Sequence, residues 1–484
     1  MKLSRLFPSW HGADISISSV ELDSRRVAPG SLFLAVPGLT HDGRRFIDSA
    51  VAAGAAAVAY ESGDGFHIDI EGVPCIPVTD LGGQLSALAG VFHDEPSQAL
   101  GLIGVTGTNG KTSVSQMIAQ ALGAIGQPCG IIGTLGSGMF GELTDHGMTT
   151  PDALQVQEQL ATLRSEGAAW VAMEVSSHAL DQGRVAALAF DIGVFTNLSR
   201  DHLDYHGSME AYGQAKARLF AMPLTTAVIN ADDALGRQLI GNCPAPVISY
   251  SIDDDTQGLF CSNVRFDTAG ISATVHYQQS QSQLSSSLLG TFNLSNLLAV
   301  IGCLLAIDMP LDRAVELVGK VQAPAGRMQR LGGGSQPLVV VDYAHTPDAL
   351  DKALAALRAH VDGKLTCVFG CGGNRDSGKR PLMAQVAEQG ADAVVVTDDN
   401  PRNEPSAQII EQILEGFAQP SRATVLPARA EAIRQSIVSA QAGDIVLLAG
   451  KGHETYQEIQ GVRHPFNDLE QARLALGEWE ASHA

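Results

Sequence analysis

From Leu102 to Leu448 the chain repeats one pattern: a short apolar or β-branched run that stops in a polar, glycine-rich cluster. The runs are Leu102–Val105, Trp170–Val175, Ile192–Thr196, Val228–Asn230, Leu338–Val341, Thr366–Phe369, Val394–Thr397 and Ile445–Leu448. Amphipathic stretches such as Val114–Ile125, Leu154–Arg164 and Pro347–His360 lie between them. Continuously apolar strands that alternate with helices bury both faces only in parallel sheets covered on each side. The chain therefore reads as α/β. Ligands of such sheets sit beyond the carboxyl ends of the strands, so chemistry is expected in the polar clusters. Leu259–Leu289, polar with alternating apolar residues, reads instead as antiparallel strands attached to the middle sheet.

At roughly 150 residues per domain, 484 residues suggest three domains. Two seams fit that number, His93–Ser97 and Gly332–Pro337, and divide the chain into 1–97, 98–331 and 332–484. Lys plus Arg is 31 and Asp plus Glu is 52, a net charge of −21. That argues against nucleic-acid binding, which needs basic surface to displace counterions. A locally positive pocket for a small anion remains compatible with it. The most apolar stretch, Ser49–Tyr60, is shorter than the ~20 residues that span a bilayer. The N-terminal MKLSRLFPSW has no apolar core of signal-peptide length. Seven scattered cysteines without a CxxC pair suit reduced thiols and a cytoplasmic protein.

The strongest local signal is Gly104-Val-Thr-Gly-Thr-Asn-Gly-Lys-Thr-Ser113, after a strand and before a helix. Gly104, Gly107 and Gly110 would let backbone N–H groups turn inward around phosphate oxygens. Lys111 would reach the outer phosphates, and Thr112 or Ser113 would hold Mg²⁺. The general pattern places glycine five residues before Gly110, where this chain has Val105. Two further strand ends carry Glu174-Val-Ser-Ser-His-Ala-Leu180 and Thr196-Asn-Leu-Ser-Arg-Asp-His-Leu-Asp-Tyr-His206. A carboxylate facing a phosphate loop is a natural Mg²⁺ ligand. In the C-terminal third, Gly370-Cys-Gly-Gly-Asn-Arg375, Asp399-Asn-Pro-Arg402 and Gly450-Lys-Gly-His-Glu454 each follow a strand. Arg375 and Arg402 can clamp carboxylates while Glu454 holds an ammonium. His453-Glu454 is no zinc motif, because HExxH fails at Gln457.

The loop GTNGKTS resembles that of the Mur ligase family, which joins amino acids to a cell-wall precursor. The resemblance implies three domains: a central P-loop parallel-sheet ATPase domain, a Rossmann-like C-terminal domain and an N-terminal domain for a UDP-linked substrate. It implies ATP as substrate, held by Gly107, Thr108, Asn109, Gly110, Lys111, Thr112 and Ser113, with Asn293, Asn296, Arg327 and Asp342 on the adenosine side. Two Mg²⁺ ions are implied at Thr112, Glu174, His202 and Lys216, the lysine being carboxylated by CO₂. Lys111, Glu174, His202 and Lys216 thus form the implied catalytic set. Leu22 and Ser24 match contacts to the UDP end of UDP-N-acetylmuramoyl dipeptide, and Thr149, Thr150, Ser176, Gln182 and Arg184 match contacts to its sugar and peptide. Met148 stands where asparagine was expected. The loops Glu21–Arg25 and Pro37–Arg45 could grip a diphosphate or uridine. Asp399, Asn400, Pro401 and Arg402 resemble the mark of members that take meso-2,6-diaminopimelate, with Arg375, Gly450 and Glu454 alongside. A monomer without nucleic-acid or membrane partners is expected. Folylpolyglutamate synthetase or another Mur ligase, and a regulatory P-loop NTPase, are the competing readings.

Overall fold

The computed structural model describes residues 1–38 and 41–483. Leu39 and Thr40, in the second basic loop, lie outside them. The chain divides into two compact units, 1–249 and 250–484.

The first unit holds two sheets. The strands β1 (Ser19–Glu21), β2 (Ser31–Ala35), β3 (Ala57–Glu61) and β4 (Cys75–Val78) form a parallel sheet in chain order. The second sheet contains β5 (Gly101–Thr106), β6 (Cys129–Gly133), β7 (Gly136–Met139), β8 (Trp170–Glu174), β9 (Ile192–Phe195), β10 (Thr226–Asn230) and β11 (Val247–Ser251). Their order is β11-β10-β9-β5-β8-β6-β7, and β10, β9, β5, β8 and β6 run parallel. The chain leaves β5 toward β6 and β8 on one side, and β9 lies on the other. The crevice beyond β5 is thus a switch point, the place where such sheets bind ligands. Leu102, Val171, Met173 and Ile229 share one buried core with Val156, Leu160 and Leu163 of the helix Ala153–Ser165.

The second unit opens with the antiparallel strands β12 (Leu259–Asp267), β13 (Gly270–Tyr277) and β14 (Ser280–Ser286), as the alternation in Leu259–Leu289 predicts. A six-stranded sheet follows: β15 (Gln329–Gly332), β16 (Leu338–Asp342), β17 (Leu365–Phe369), β18 (Ala393–Val396), β19 (Ala423–Val425) and β20 (Ile445–Ala449). The order is β15-β16-β20-β17-β18-β19, parallel except for β15. Its strands show why their sequences are continuously apolar. Leu338 and Val340 pack into one core, whereas Val339 and Val341 pack into another on the opposite face. Each such side chain contributes roughly 1.5–3 kcal/mol on burial. A hairpin, β21 (Tyr456–Ile459) and β22 (Val462–Pro465), completes the strands. All seven cysteines are free thiols. No described helix is long and apolar enough to cross a membrane.

Candidate active site

The loop between β5 and the helix Lys111–Gly123 is set by two glycines with positive φ, Gly107 (+151°) and Gly110 (+87°). A Cβ on Gly107 would lie 1.9 Å from Thr196 Oγ1, so no other residue fits there. The loop is latched to the end of β9. Thr108 N donates to Asn197 O (2.8 Å), Asn109 N to Asn197 Oδ1 (3.0 Å) and Thr196 Oγ1 to Asn109 O (2.6 Å). Gly110, the N-cap, has no side chain to cap the first turn, an arrangement that a bound anion completes. Gly104 corrects the sequence reading: it lies inside β5, against the Phe190 ring, and takes no part in the turn.

Lys111 Nζ bends back over the loop and donates to Gly107 O (2.9 Å) and Thr108 O (2.8 Å). Lys216, buried on the helix Met209–Ala217, reaches the same Gly107 carbonyl at 2.7 Å. Burial foremost, and then the Lys111 charge, push its pKa down to about 6. Neutral amine is therefore the main form of Lys216 at neutral pH. Glu174 is buried at the end of β8. Its Oε2 accepts from Thr112 Oγ1 (3.0 Å) and Thr134 Oγ1 (3.1 Å), and its Oε1 from Thr134 N (2.8 Å). Burial raises its pKa, against the opposing effect of Lys111.

His202 is linked to this group through Tyr212: its ring lies 6.0 Å from the Tyr212 ring, over which Lys216 Nζ sits at 4.4 Å, and the Tyr212 hydroxyl is 3.2 Å from Thr108 Oγ1. His202 has left-handed backbone (φ +51°), is about half exposed, and sits 3.5 Å from Asp201 Oδ2 with its ring against His178. Among the described residues no cluster of three or more His, Cys, Asp or Glu forms a metal cage. The touching oxygens of Glu174 and Thr112 are nevertheless the hard donors magnesium takes, and magnesium keeps most of its waters. This pair fits the ion.

The residues expected to meet the sugar and peptide form a chain of hydrogen bonds leading away from Glu174. Thr134 Oγ1 and Thr149 Oγ1 are 3.0 Å apart. Thr150 Oγ1 donates to Glu174 O (2.8 Å) and accepts from Ser176 N (3.0 Å). Arg184 Nη1 donates to Thr150 O (2.7 Å), and its Nη2 to Gln182 Oε1 (2.6 Å). Ser176 also caps the helix Ser177–Asp181. Leu22 packs on the core of the β1–β4 sheet, and Ser24 is half-buried in the turn after β1. Among the described residues, no hydrogen bond joins either to the Thr149–Arg184 group. The basic loops carry their own acids: Arg25 pairs with Asp23 (2.6 Å), and Arg44 with Asp42 (2.8 Å) and Asp64 (2.7 Å). A cavity of about 760 Å³ adjoins Arg26, Thr144, Gln155 and Glu158 but contains none of the expected substrate residues.

In the second unit, Asp342 ends β16 and is half-buried, and the desolvation of its carboxylate raises its pKa. Its oxygens accept from Met328 N (2.7 Å) and Ala344 N (2.9 Å). The Arg327 guanidinium lies 5.1 Å from the Tyr343 ring, and its buried Nε has no hydrogen-bond partner among the described residues. Asn293 and Asn296 are buried in the helix Thr291–Ala306, where Asn293 Nδ2 donates to Leu289 O (2.8 Å).

Arg375 and Arg402 are neighbours. An added Cβ on Gly372 would lie 2.8 Å from Arg402 Nη1 and 3.7 Å from Arg375 Cγ. Arg402, with left-handed backbone, donates from Nη1 to Gly373 O (2.9 Å) and lies 3.4 Å from Glu458 Oε2. Its main chain is bonded to the β21–β22 hairpin through Glu458 O (2.9 Å) and Gln460 N (2.7 Å). Asn400 Nδ2 donates to Glu454 Oε2 (2.8 Å). Pro401 is buried between them, and its carbonyl accepts from Glu404 N (3.1 Å). Asp399 is buried, which raises its pKa, and Gly450 lies against its carboxylate. Sequence reasoning missed three charged residues here. Lys451 donates to Asn400 and Glu454. Glu458 faces Arg402. The fully buried Arg380 pairs with Glu404 and donates to Gly372 O. Lys451 stood inside a motif already singled out, whereas nothing local marks the other two.

A glycine-turned phosphate loop at a switch point, with a buried carboxylate and two lysines around it, defines a P-loop nucleotide-binding α/β protein. Residues 105–304 match the Mur ligase middle domain, 326–452 the Mur ligase glutamate ligase domain, and 16–93 the Mur ligase family catalytic domain. The chain belongs to the Mur ligase family. It is 59% identical over 486 residues to the UDP-N-acetylmuramoyl-L-alanyl-D-glutamate–2,6-diaminopimelate ligase of Pseudomonas aeruginosa, with 100% of both chains covered. A solved structure of a ligase of that name is 39% identical and covers 100% of this chain and 99% of its own, with a TM-score of 0.78. Folylpolyglutamate synthase from Mycobacterium tuberculosis, solved with ADP and AMPPCP, shares the fold at 17% identity, a TM-score of 0.60 and 76% coverage of this chain (92% of that one).

Proposed function

We propose that the chain is an ATP-dependent ligase that adds meso-2,6-diaminopimelate to UDP-N-acetylmuramoyl-L-alanyl-D-glutamate in peptidoglycan synthesis. The observation that carries this is the interlocked loop Asp399–Arg402, with Arg402 beside Arg375 and Asn400 bonded to Glu454. The Arg402 guanidinium, with the exposed Arg375 side chain starting close by and the carboxylates of Asp399 and Glu454 on the same loops, suits an amino acid with a second carboxylate.

A γ-carboxylate oxygen of D-glutamate attacks the γ-phosphorus of ATP, and ADP departs. The amine of diaminopimelate, having shed a proton, attacks the acyl carbon of the resulting acyl phosphate. The C–O bond breaks toward phosphate, the attacking nitrogen gives up a second proton to the departing phosphate or solvent, and an amide remains. Lys111 would swing from the loop carbonyls to neutralise charge on the transferred phosphoryl group. Thr149, Thr150, Ser176, Gln182 and Arg184 would orient the sugar and peptide, with Leu22 and Ser24 at the UDP end. Asn293, Asn296, Arg327 and Asp342 would take the adenosine side.

Glu174 and Thr112 would hold one magnesium ion, and His202 with a carboxylated Lys216 a second. Bound magnesium supplies positive charge beside the phosphoryl oxygens. Carboxylation forms an N–C bond from the Lys216 amine lone pair to CO₂, with loss of a proton. Its depressed pKa supports this reading, because only the neutral amine reacts. The divisions 1–97, 98–331 and 332–484 would serve the UDP substrate, ATP and the amino acid respectively. The protein would act as a cytoplasmic monomer.

The test is an amino-acid panel assayed for ADP with the purified UDP-muramoyl dipeptide. Release with meso-diaminopimelate, and little with lysine, is expected. Equal release with lysine, or release without any acceptor, overturns the assignment.

A further inference from the structure

Lys451 has no solvent exposure. Its Nζ donates to Asn400 Oδ1 (3.1 Å) and Glu454 Oε2 (3.0 Å), and Asn400 Nδ2 closes the ring on the same Glu454 oxygen (2.8 Å). A buried ammonium costs several kcal/mol unless its charge is matched and its protons are used. Methionine would fill this space without that cost, so packing does not explain the residue. The ring has a geometric effect. Glu454 Oε2 is occupied twice, and no hydrogen bond from a described residue reaches Oε1, which leaves that oxygen for a ligand. It also has an electrostatic effect. Asp399 is a second buried carboxylate; burial disfavours its charged form, and Arg429 and then Lys451 oppose that. Arg429 is matched by Asp468, so the Asp399 and Glu454 carboxylates against the Lys451 ammonium leave one net negative charge, the complement of a single ammonium group.

We propose that Lys451 is a positioning and specificity-determining residue of the amino-acid site: it orients Glu454 and Asn400 and cancels one of two carboxylate charges, so that the site takes one ammonium of an amino acid. The proposal rests on the ligase reading above.

It is tested with Lys451→Met and Lys451→Arg in the full chain, by ADP formation with ATP, UDP-muramoyl dipeptide and meso-diaminopimelate each varied in turn. Lys451→Met is expected to raise the KM for diaminopimelate about tenfold or more, with the other two constants within about twofold. Lys451→Arg, which keeps the charge, is expected to recover most of that loss. An unchanged diaminopimelate KM in Lys451→Met, or a rise of all three constants together, overturns the proposal. If Lys451→Met does not fold, the charge-balanced Lys451→Met/Glu454→Gln variant is compared with Glu454→Gln alone. Equal diaminopimelate constants support action through Glu454, and a further tenfold loss in the double variant refutes it. Wild-type protein that makes no ADP with diaminopimelate removes the ligase reading itself, whereas an active wild type with a normal Lys451→Met removes only this inference.

Discussion

The phosphate-loop site of the first unit and the arginine site of the second present charge in opposite ways. Around the loop, the titratable groups hydrogen-bond to neutral partners. Lys111 and Lys216 donate to backbone carbonyls, and Glu174 accepts from two hydroxyls and an amide. In the second unit, opposite charges are matched within the protein: Arg402 with Glu458, Arg380 with Glu404, Lys451 with Glu454 and Arg429 with Asp468. A loop that must receive a polyphosphate holds its lysines on backbone carbonyls, which a charged ligand displaces at small cost. A site that must tell one amino acid from another fixes each charge in a rigid frame. Substitutions should therefore cost chemistry in the first unit and both stability and selectivity in the second.

The largest effect is expected for Lys111→Ala. ADP release with all substrates present should fall about a thousandfold, the scale of losing a main electrostatic contact to the transition state. The urea midpoint should move far less than in Asp468→Ala, because the lysine is bonded to carbonyl groups and its charge only partly offsets the burial of Glu174. Near-normal turnover would remove Lys111 from its role. Asp468→Ala should act in reverse. Arg429 and Asp468 are both fully buried, with Nη2–Oδ2 at 2.6 Å and Nε–Oδ1 at 2.8 Å. An orphaned guanidinium there should cost about 3 kcal/mol or more in urea unfolding. A loss below about 1 kcal/mol would break the contrast between the units.

Arg402→Ala comes next. Its diaminopimelate KM should rise about thirtyfold, on the order of 2 kcal/mol, with the ATP constant little changed. An unchanged constant would take the selectivity argument with it. Lys216 probes the other unit by pH. Its folded pKa is about 6, against about 10.4 in the unfolded chain. Between those values the unfolded state carries the extra proton, so this group's contribution to stability rises with pH. Below about 6 both states are protonated, and the full cost of burying the ammonium remains. Lys216→Met should therefore be more stable than wild type at pH 6.5, with the gap narrowing by up to ~1.4 kcal/mol per pH unit toward pH 9. A gap independent of pH in urea titrations would contradict the depressed pKa. Lys216→Ala should lose activity and regain part of it with added short-chain carboxylic acids.

The legible parts of this chain were those in which local sequence settles local structure. The eight apolar runs became strands because each buries both faces, and the phosphate loop followed from glycines that alone can adopt its φ values. The strand β6, Cys129–Gly133, escaped because two of its five residues are glycine. Arg25 and Arg44 read as grips for phosphate until their partners, Asp23, Asp42 and Asp64, were placed. Glu458 and Arg380 were invisible for a related reason. Their meaning lies in what faces them, 56 and 24 positions away, and no pattern along the chain encodes that pairing.

The smallest effect sharpens the comparison most. Glu458 holds Arg402 at 3.4 Å, and both side chains keep about a fifth of their exposure. Such a half-screened pair is worth under about 1 kcal/mol, so Glu458→Gln should shift the urea midpoint only slightly. Its effect on selectivity has a definite sign. In the absence of substrate, Glu458 competes with a substrate carboxylate for the same guanidinium, and neutralising it removes that competitor. The glutamine still reaches Arg402 through its amide oxygen, and the main-chain bonds from Arg402 N and Gln460 N still hold the loop to β21. The diaminopimelate KM should therefore stay level or fall by up to about threefold, while that for lysine, which brings no second carboxylate, should not improve. A rise in the diaminopimelate KM of tenfold in Glu458→Gln would mean that the ion pair positions Arg402 rather than occupying it, and the second unit's charges would then act by holding geometry alone.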